Sequence, residues 1–197
     1  MELKGKRIGF GLTGSHCTLE EVIPLIETLI QRGAEVVPFV SWTVQSTDSK
    51  FGKAADWIAA IEKASGHEVI NSIVKAEPYG PKKPLDCMLI SPMTGNSLAK
   101  FANALTDSPV LMAAKATLRN GSPVVAAIST NDALALNAKN LATLLTMKHV
   151  FLVPFGQDDP IKKPTSLVAR MQAIPSTIED ALDGRQFQPL LIDKYND

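Results

Sequence analysis

Short apolar runs of strand length alternate along this chain with longer segments in which apolar residues recur at helical spacing. The runs cover residues 8–12, 35–40, 87–91, 123–128 and 149–153. Nearly continuous apolar runs are typical of parallel strands that helices cover on both faces. We therefore expect an α/β fold: a three-layer, doubly wound domain with a mainly parallel, Rossmann- or flavodoxin-like sheet.

Capping residues and prolines predict where the helices begin and where loops interrupt them. Thr18 and Ser176 are each followed three residues later by Glu, which predicts a capping box at both positions. Asn131 or Asp132 is expected to cap the helix after the fourth strand. Residues 75–86 contain three prolines and a glycine, and we expect a stiff loop there instead of a regular element.

The length of the chain predicts one domain over residues 1–197. Residues 155–197 are expected to form a tail of short helices and extended chain that belongs to the same domain. No internal repeat and no long linker separates a second unit.

Charge and cysteine content exclude several classes of protein. The chain has 20 basic and 20 acidic residues, and this neutral balance predicts neither a nucleic-acid nor a membrane partner. No apolar run approaches the roughly 18 residues that span a bilayer, and no signal peptide is evident, so we expect a cytoplasmic protein. Cys17 and Cys87 lack the spacing of a metal site or a disulfide framework.

The turn after the first strand is a candidate phosphate loop. Residues 9–14 have the Gly-x-Gly-x-x-Gly spelling and lead into a helix, so that backbone N–H groups can point at a phosphate. A tight turn that binds no ligand would explain the same glycines. The candidate cofactor-binding residues here are Gly11, Thr13, Gly14, Ser15 and His16.

Small hydroxyl residues follow the second strand. Ser41 and Thr43 can donate to phosphate oxygens without adding negative charge, although ordinary turn chemistry explains them equally well. A dinucleotide site needs an acid at this point, and Glu35 stands at the wrong end of the strand. A nicotinamide dehydrogenase acting alone is therefore disfavoured.

Polar residues also follow the third and fourth strands. After the third strand, Pro92 is expected to end the strand and Thr94 to cap a helix. Gly95 permits the close approach of a flat ligand, and Asn96 offers a donor and an acceptor to a ring edge. Asn131 occupies the corresponding place after the fourth strand.

In combination these residues resemble the FMN-binding flavoprotein family of cysteine-decarboxylase type, from about residue 6 to residue 153. The matching positions are the Gly-x-Thr-Gly-Ser turn (11–15), Ser41, and Pro92, Thr94, Asn96, Ala99, Lys100 and Ala102. The resemblance implies FMN as cofactor and a homo-oligomer with flavin near subunit contacts. It assigns the phosphate to Gly14, Ser15 and Ser41, and the isoalloxazine edge to Thr94 and Asn96.

The chain departs from the decarboxylases of this family at two positions. Those enzymes carry Pro-x-Met-Asn after the fourth strand, where this chain has Ile-Ser-Thr-Asn at residues 128–131. They also place a catalytic His shortly before the third strand, and Pro78 stands in that neighbourhood here. Both departures argue against decarboxylation, but an FMN-dependent decarboxylase-like enzyme remains an alternative.

Residues 75–86 and 129–134 narrow the resemblance to a branch whose members are one component of a two-component oxidoreductase. That branch implies an NADP-dependent A subunit as partner and the conversion of dihydrodipicolinate to dipicolinate, a small dicarboxylate, in the mother cell of a sporulating bacterium. Asn131 is expected to receive a substrate carboxylate, with Lys100 a weaker candidate. The alternative is a non-catalytic partner that stabilises or activates the A subunit.

Overall fold

A mainly parallel sheet forms the centre of the protein. The computed structural model describes residues 3–193, and within them the strand order is β2-β1-β3-β4-β7-β6, with β5 paired to β4. Strands β1 to β5 are parallel, whereas β7 is antiparallel to both β4 and β6. The strands are β1 Arg7–Leu12, β2 Glu35–Val40, β3 Cys87–Met93, β4 Val124–Thr130, β5 Val150–Leu152, β6 Phe155–Gly156 and β7 Leu167–Ala169.

Helices cover both faces of this sheet, as predicted. The connection through α1 leads from β1 to β2, towards one edge of the sheet. The connection through α6 leads from β3 to β4, in the opposite direction. Right-handed crossovers in opposite directions place α1 and α6 on opposite faces. The helices are α1 His16–Gln31, α2 Trp42–Ser46, α3 Ala54–Ser65, α4 Ile73–Ala76, α5 Gly95–Ala102, α6 Pro109–Arg119, α7 Ala138–Thr146 and α8 Ile174–Leu182. The expected three-layer α/β fold is confirmed.

Both predicted capping boxes are wrong. Helix α1 begins at His16 with Ser15 as N-cap, so Thr18 lies inside the first turn. The Thr18 hydroxyl instead lies 3.1 Å from the hydroxyls of Ser15 and Ser129. Helix α8 begins two residues before Ser176, because a proline in its first turn already fixes a helical φ there.

The loop predicted over residues 75–86 is helical in its first part. Ser72 caps the short helix α4, and a 3₁₀ turn over Glu77–Tyr79 follows directly. Pro78 stands in the first turn, where a missing N–H leaves no hydrogen bond unmade. The ring of Tyr79 packs edge-on against Phe39 of β2 at 5.1 Å between centroids, which anchors the turn to the sheet.

The ends of β3 and β4 also differ from the expectations. Strand β3 continues through Pro92 to Met93, with its register to β4 shifting after Ile90, and such an irregularity accommodates a residue without an N–H. After β4 the chain forms turns, and α7 begins only at Ala138. Asp132 therefore caps no helix, and its carboxylate instead accepts hydrogen bonds from the side chains of Thr130 and Asn137.

Residues after 153 extend the sheet. Strand β7 pairs with the end of β4, Ser129 opposite Val168 and Thr130 opposite Leu167. The expected tail thus contains two strands that the sequence did not predict, and α8 packs on β3 and β4. As a result, residues 157–166, which connect β6 and β7, lie beside the carboxyl end of β4. We call this connection the 157–166 loop.

No helix between residues 3 and 193 combines the length and the apolar character that a membrane crossing requires.

The buried hydroxyl of Thr13 joins the loops that follow β1 and β3. It donates to the carbonyl of Pro92 at 2.6 Å and accepts from the N–H of Thr94 at 3.0 Å, and Thr13 is 1% exposed. One side chain thereby satisfies two buried backbone groups. The separation of the two loops is fixed by this pair of hydrogen bonds.

The substitution Thr13→Val tests this constraint. It keeps the shape of the side chain and leaves both backbone groups without a partner, at about 1–3 kcal/mol for each. We expect the free energy of unfolding, measured with urea, to fall by at least about 2 kcal/mol. Thr13→Ser keeps the hydroxyl and is expected to lose about 1 kcal/mol through the missing methyl group. Equal stability of the valine variant and the unaltered protein would contradict the assignment.

Candidate functional site

Two adjoining clefts open at the carboxyl ends of the parallel strands. The small cleft, of about 310 Å³, lies between the residues that follow β2 and the beginnings of α5 and α6. The large cleft, of about 620 Å³, lies among the ends of β1, β3 and β4 and the 157–166 loop. Gly14, Thr94 and Asn96 line both clefts, which therefore adjoin each other at these residues.

The small cleft is lined by hydroxyl groups, one ammonium group and two apolar side chains. Its lining consists of Gly14, Ser41, Trp42, Thr43, Thr94, Asn96, Ser97, Lys100, Ser108 and Leu111. The Lys100 ammonium lies 2.6 Å from the carboxylate of Asp107. Several neutral donors beside one cation suit an oxyanion of phosphate size.

Gly14 lets the loop after β1 pack directly on the turn after β2. A Cβ at Gly14 would lie 2.6 Å from Cγ2 and 2.9 Å from Cβ of Thr43, which leaves no room for any side chain. On the other side of this loop, the hydroxyl of Ser15 lies 3.1 Å from that of Ser129 at the end of β4. The loop is thus held between the ends of β2 and β4.

Gly95 provides a second close approach, at the first residue of α5. A Cβ there would lie 2.5 Å from Oγ1 of Thr130 and 2.7 Å from Oδ1 of Asp132. Asp132 accepts hydrogen bonds from Thr130 at 2.6 Å and from Nδ2 of Asn137 at 2.8 Å. This polar network supports the first turn of α5 and with it Asn96, which is exposed to both clefts.

The 157–166 loop carries an ion pair to the large cleft. The Lys163 ammonium lies 3.0 Å from the carboxylate of Asp158. Burial of Asp158 opposes its ionisation, but hydrogen bonds from Ser166 and Lys163 hold the pKa of the carboxyl below its ordinary value. The hydrogen bond to Asp158 raises the pKa of Lys163. Both groups are therefore charged at neutral pH.

Most of the site residues predicted from the sequence meet at these clefts. Those that line one or both are Gly14, Ser15, Ser41, Thr43, Thr94, Gly95, Asn96 and Asn131. They come from the ends of four different strands, and the parallel sheet brings them to one edge.

Four other predicted residues lie behind the clefts. A Cβ at Gly11 would meet Val110 and Met88, so this glycine serves core packing. Thr13 and Pro92 are buried and bonded to each other. Both ring nitrogens of His16 are buried with no hydrogen-bond partner among residues 3–193. These four residues do not belong to the lining of either cleft, and their binding of cofactor stays a prediction.

Several lining residues were not predicted, for two different reasons. Trp42 and Ser108 have local signals, a large aromatic residue directly after a strand and an N-cap before proline, but neither signal indicates a ligand. Asp158, Lys163 and Ser166 reach the large cleft only because β7 pairs with β4. The Asp-Asp-Pro segment (158–160) and the Lys-Lys-Pro segment (162–164) predict turns, but they do not predict that these turns lie beside the end of β4.

The cysteines and histidines differ in their positions relative to the clefts. Cys17 is a free, exposed thiol in the large cleft, whereas burial raises the pKa of the free thiol of Cys87 in β3. No histidine within residues 3–193 lines either cleft. Pro78, in the neighbourhood where the resemblance places the histidine of the decarboxylases, lies in a turn outside the lining of both clefts.

Comparison with known proteins gives relatives over the whole chain. The chain is 63% identical over 193 residues to the dipicolinate synthase B subunit of Bacillus subtilis strain 168, covering 98% of this chain and 96% of the relative. It superimposes on the crystal structure of the dipicolinate synthase B subunit from Bacillus halodurans with a TM-score of 0.92 and 61% identity, covering 99% of this chain and all of that one. The branch of the family indicated by residues 75–86 and 129–134 is confirmed.

More distant structures share the fold. DmrB of Burkholderia xenovorans, solved in complex with FMN and described as a cubic protein cage for redox transfer, has a TM-score of 0.64 at 17% identity, over 90% of this chain and 96% of that one. The FMN-dependent cysteine decarboxylase SpaF has a TM-score of 0.67 at 20% identity, over 91% and 98%.

A family model described as "Flavoprotein" matches residues 1–183, which include every strand and helix of the described structure. With this match and the close relatives above, the chain belongs to the flavoprotein family.

Proposed function

We propose that this chain is the FMN-binding B subunit of a dipicolinate synthase, in the mother cell of a sporulating bacterium. It takes part in the conversion of dihydrodipicolinate to dipicolinate, together with an A subunit that binds NADP. The observation that carries the proposal is that the two clefts adjoin at Gly14, Thr94 and Asn96. Similarity over the full length to B subunits of this enzyme supports it.

The residues at the two clefts fit FMN. Ser41 and Thr43 bring hydroxyls to the small cleft, and Gly14 brings the backbone of the β1 loop against it. These groups would hold the phosphate, with Ser15 beside them at the large cleft. The isoalloxazine ring would lie in the large cleft, where the amide of Asn96 can both donate to and accept from its edge. When bound, FMN supplies transfer of two electrons at the site.

The conversion of dihydrodipicolinate to dipicolinate determines what the other residues at the clefts must do. The dihydro ring must lose a hydride equivalent and a proton, so the chain has to orient a dianion and needs no nucleophile. Asn131 is exposed in the large cleft, and its backbone carbonyl accepts a hydrogen bond from Thr165 at 2.7 Å. This bond fixes the backbone from which the Asn131 amide would bind a carboxylate.

The arrangement favours oxidation and reduction over decarboxylation. Within residues 3–193 neither cleft contains a histidine that could protonate or deprotonate a decarboxylation substrate. Of the Pro-x-Met-Asn motif only Asn131 is present, and it faces the large cleft beside Asp132. A carboxylate-binding role for this asparagine requires no histidine.

Exposed apolar side chains near the clefts fit the A subunit or further copies of this chain. Trp42 at the small cleft is 46% exposed, Leu136 in the turn before α7 is 83% exposed, and Ile161 in the 157–166 loop is 91% exposed. Covering such side chains in a complex removes apolar surface from water. Association at this edge of the sheet would also exclude water from the flavin.

Binding of FMN gives the direct test. The unaltered protein is expected to retain a visible flavin absorbance band after gel filtration. Gly14→Ala would push the β1 loop away from Thr43 and is expected to weaken FMN binding at least about tenfold, which corresponds to about 1.4 kcal/mol. Gly80→Ala is the control, because its Cβ would meet no heavy atom closer than 3.5 Å. An unaltered protein that FMN neither colours nor stabilises against heat would refute the proposal.

Turnover with the A subunit tests Asn131. Loss of a hydrogen bond to a charged group costs about 1.5–3 kcal/mol, so Asn131→Ala is expected to lower kcat/KM for dipicolinate formation by roughly 10- to 100-fold. Asn131→Asp keeps the size of the side chain and places a negative charge beside the substrate carboxylate, which should lower kcat/KM further. FMN affinity should be the same in all three proteins. Unchanged turnover in Asn131→Ala would remove this residue from the substrate site.

A further inference from the structure

We propose that Lys163 binds one carboxylate of the substrate and makes the large cleft selective for dicarboxylates. The inference rests on the proposed function, and it assigns a specificity-determining residue that the sequence did not indicate. Asn131 and Lys163 would each receive one of the two carboxylates.

The acidic side chains that line the large cleft make a cation necessary for the binding of a dianionic substrate. Among the described lining residues, Asp132 and Asp158 are acidic and Lys163 is the single basic residue. Without Lys163, a dianionic substrate would face two carboxylates and no positive charge. Like charges at close range in a partly enclosed site oppose binding, so the cleft depends on this ammonium group.

The Lys163 ammonium keeps hydrogen-bonding capacity while it is paired with Asp158. It has three N–H donors, and the Asp158 carboxylate lies on one side of it at 3.0 Å. The Lys163 side chain is 58% exposed. Lys163 lines the large cleft together with Cys17 of the first turn of α1. Two donors thus remain for a carboxylate in the cleft.

The 157–166 loop holds Lys163 in place before any ligand arrives. The backbone N–H of Lys163 donates to the carbonyl of Asp159 at 2.8 Å, and its own carbonyl accepts from Ser166 N–H at 3.0 Å. The side chain of Gln157 closes the loop with a bond of 2.8 Å to the carbonyl of Pro164. Because the backbone is already ordered, binding a carboxylate costs little further conformational entropy.

Thr165 couples this loop to Asn131. The Thr165 hydroxyl donates to the Asn131 carbonyl at 2.7 Å, and the Thr165 carbonyl accepts from Leu134 N–H at 3.0 Å. Lys163 stands two residues before Thr165. The backbones of Asn131 and of the 157–166 loop are therefore joined by hydrogen bonds, and both Asn131 and Lys163 line the large cleft. In the proposed arrangement the amide would bind one carboxylate of a small ring and the ammonium group the other.

Ligand binding by the FMN-loaded full-length protein tests the inference. The probes are dipicolinate (pyridine-2,6-dicarboxylate) and picolinate (pyridine-2-carboxylate), which differ by one carboxylate, followed by calorimetry. The unaltered protein is expected to bind dipicolinate at least about tenfold more tightly than picolinate. In Lys163→Gln, which keeps most of the aliphatic stem, this preference should fall to less than about threefold, with FMN affinity unchanged. Lys163→Arg should retain part of the preference.

Lys162→Ala is the matched control, because it removes the same charge one residue away and Lys162 does not line the cleft. Its preference for dipicolinate should equal that of the unaltered protein. A Lys163→Gln variant that keeps the full preference, or a Lys162→Ala variant that loses it equally, would overturn the role of Lys163 and leave the proposed function intact. An FMN-loaded unaltered protein that binds neither probe would also overturn the role of Lys163, whereas an unaltered protein that does not bind FMN would refute the proposed function.

Discussion

The two clefts depend on loops in which the backbone of a glycine packs directly against side chains of a neighbouring loop. Gly14 packs directly on Thr43, and Gly95 packs directly on Thr130 and Asp132, so that a methyl group at either glycine would force the loops apart. Thr13 then fixes the distance between the loops after β1 and β3 by bonding the backbone of both. The shape of the site is therefore decided by backbone approach, and the side chains that face the clefts are placed by it.

The positive charges at the clefts are each balanced by a neighbouring carboxylate. The chain as a whole is neutral. Among residues 3–193, the two cations that line the clefts are Lys100 and Lys163, and each pairs with an aspartate, Asp107 and Asp158 respectively. A lysine that is oriented by a carboxylate still offers donors to a second anion, and it loses less side-chain entropy on binding. The proposed anion binding at this edge of the sheet would thus need no basic surface, in agreement with the scattered basic residues of the sequence.

The same scaffold supports different chemistry in relatives of the same fold. At 20% identity, the resemblance to a cysteine decarboxylase extends to the fold alone. In this chain the clefts offer amides, hydroxyls and ammonium groups that can bind and orient a substrate, beside two carboxylates and the exposed thiol of Cys17. Such a donor set fits a protein that holds flavin and a dicarboxylate while electrons are transferred.

The sequence by itself determined the alternation of strands and helices, the parallel sheet, and most of the residues that meet at the strand ends. These follow from local patterns: apolar runs for buried strands, glycines and hydroxyls directly after them, and a sheet that brings its carboxyl ends to one edge. Only the tertiary structure decided that the buried hydroxyl of Thr13 joins the loops after β1 and β3, and that Lys163 lines the large cleft. Each depends on a contact between distant segments, the first with Pro92 and the second through β7 beside β4. Contacts between so few residues leave no periodic pattern in the sequence, because each contact depends on the packing of segments that are distant along the chain.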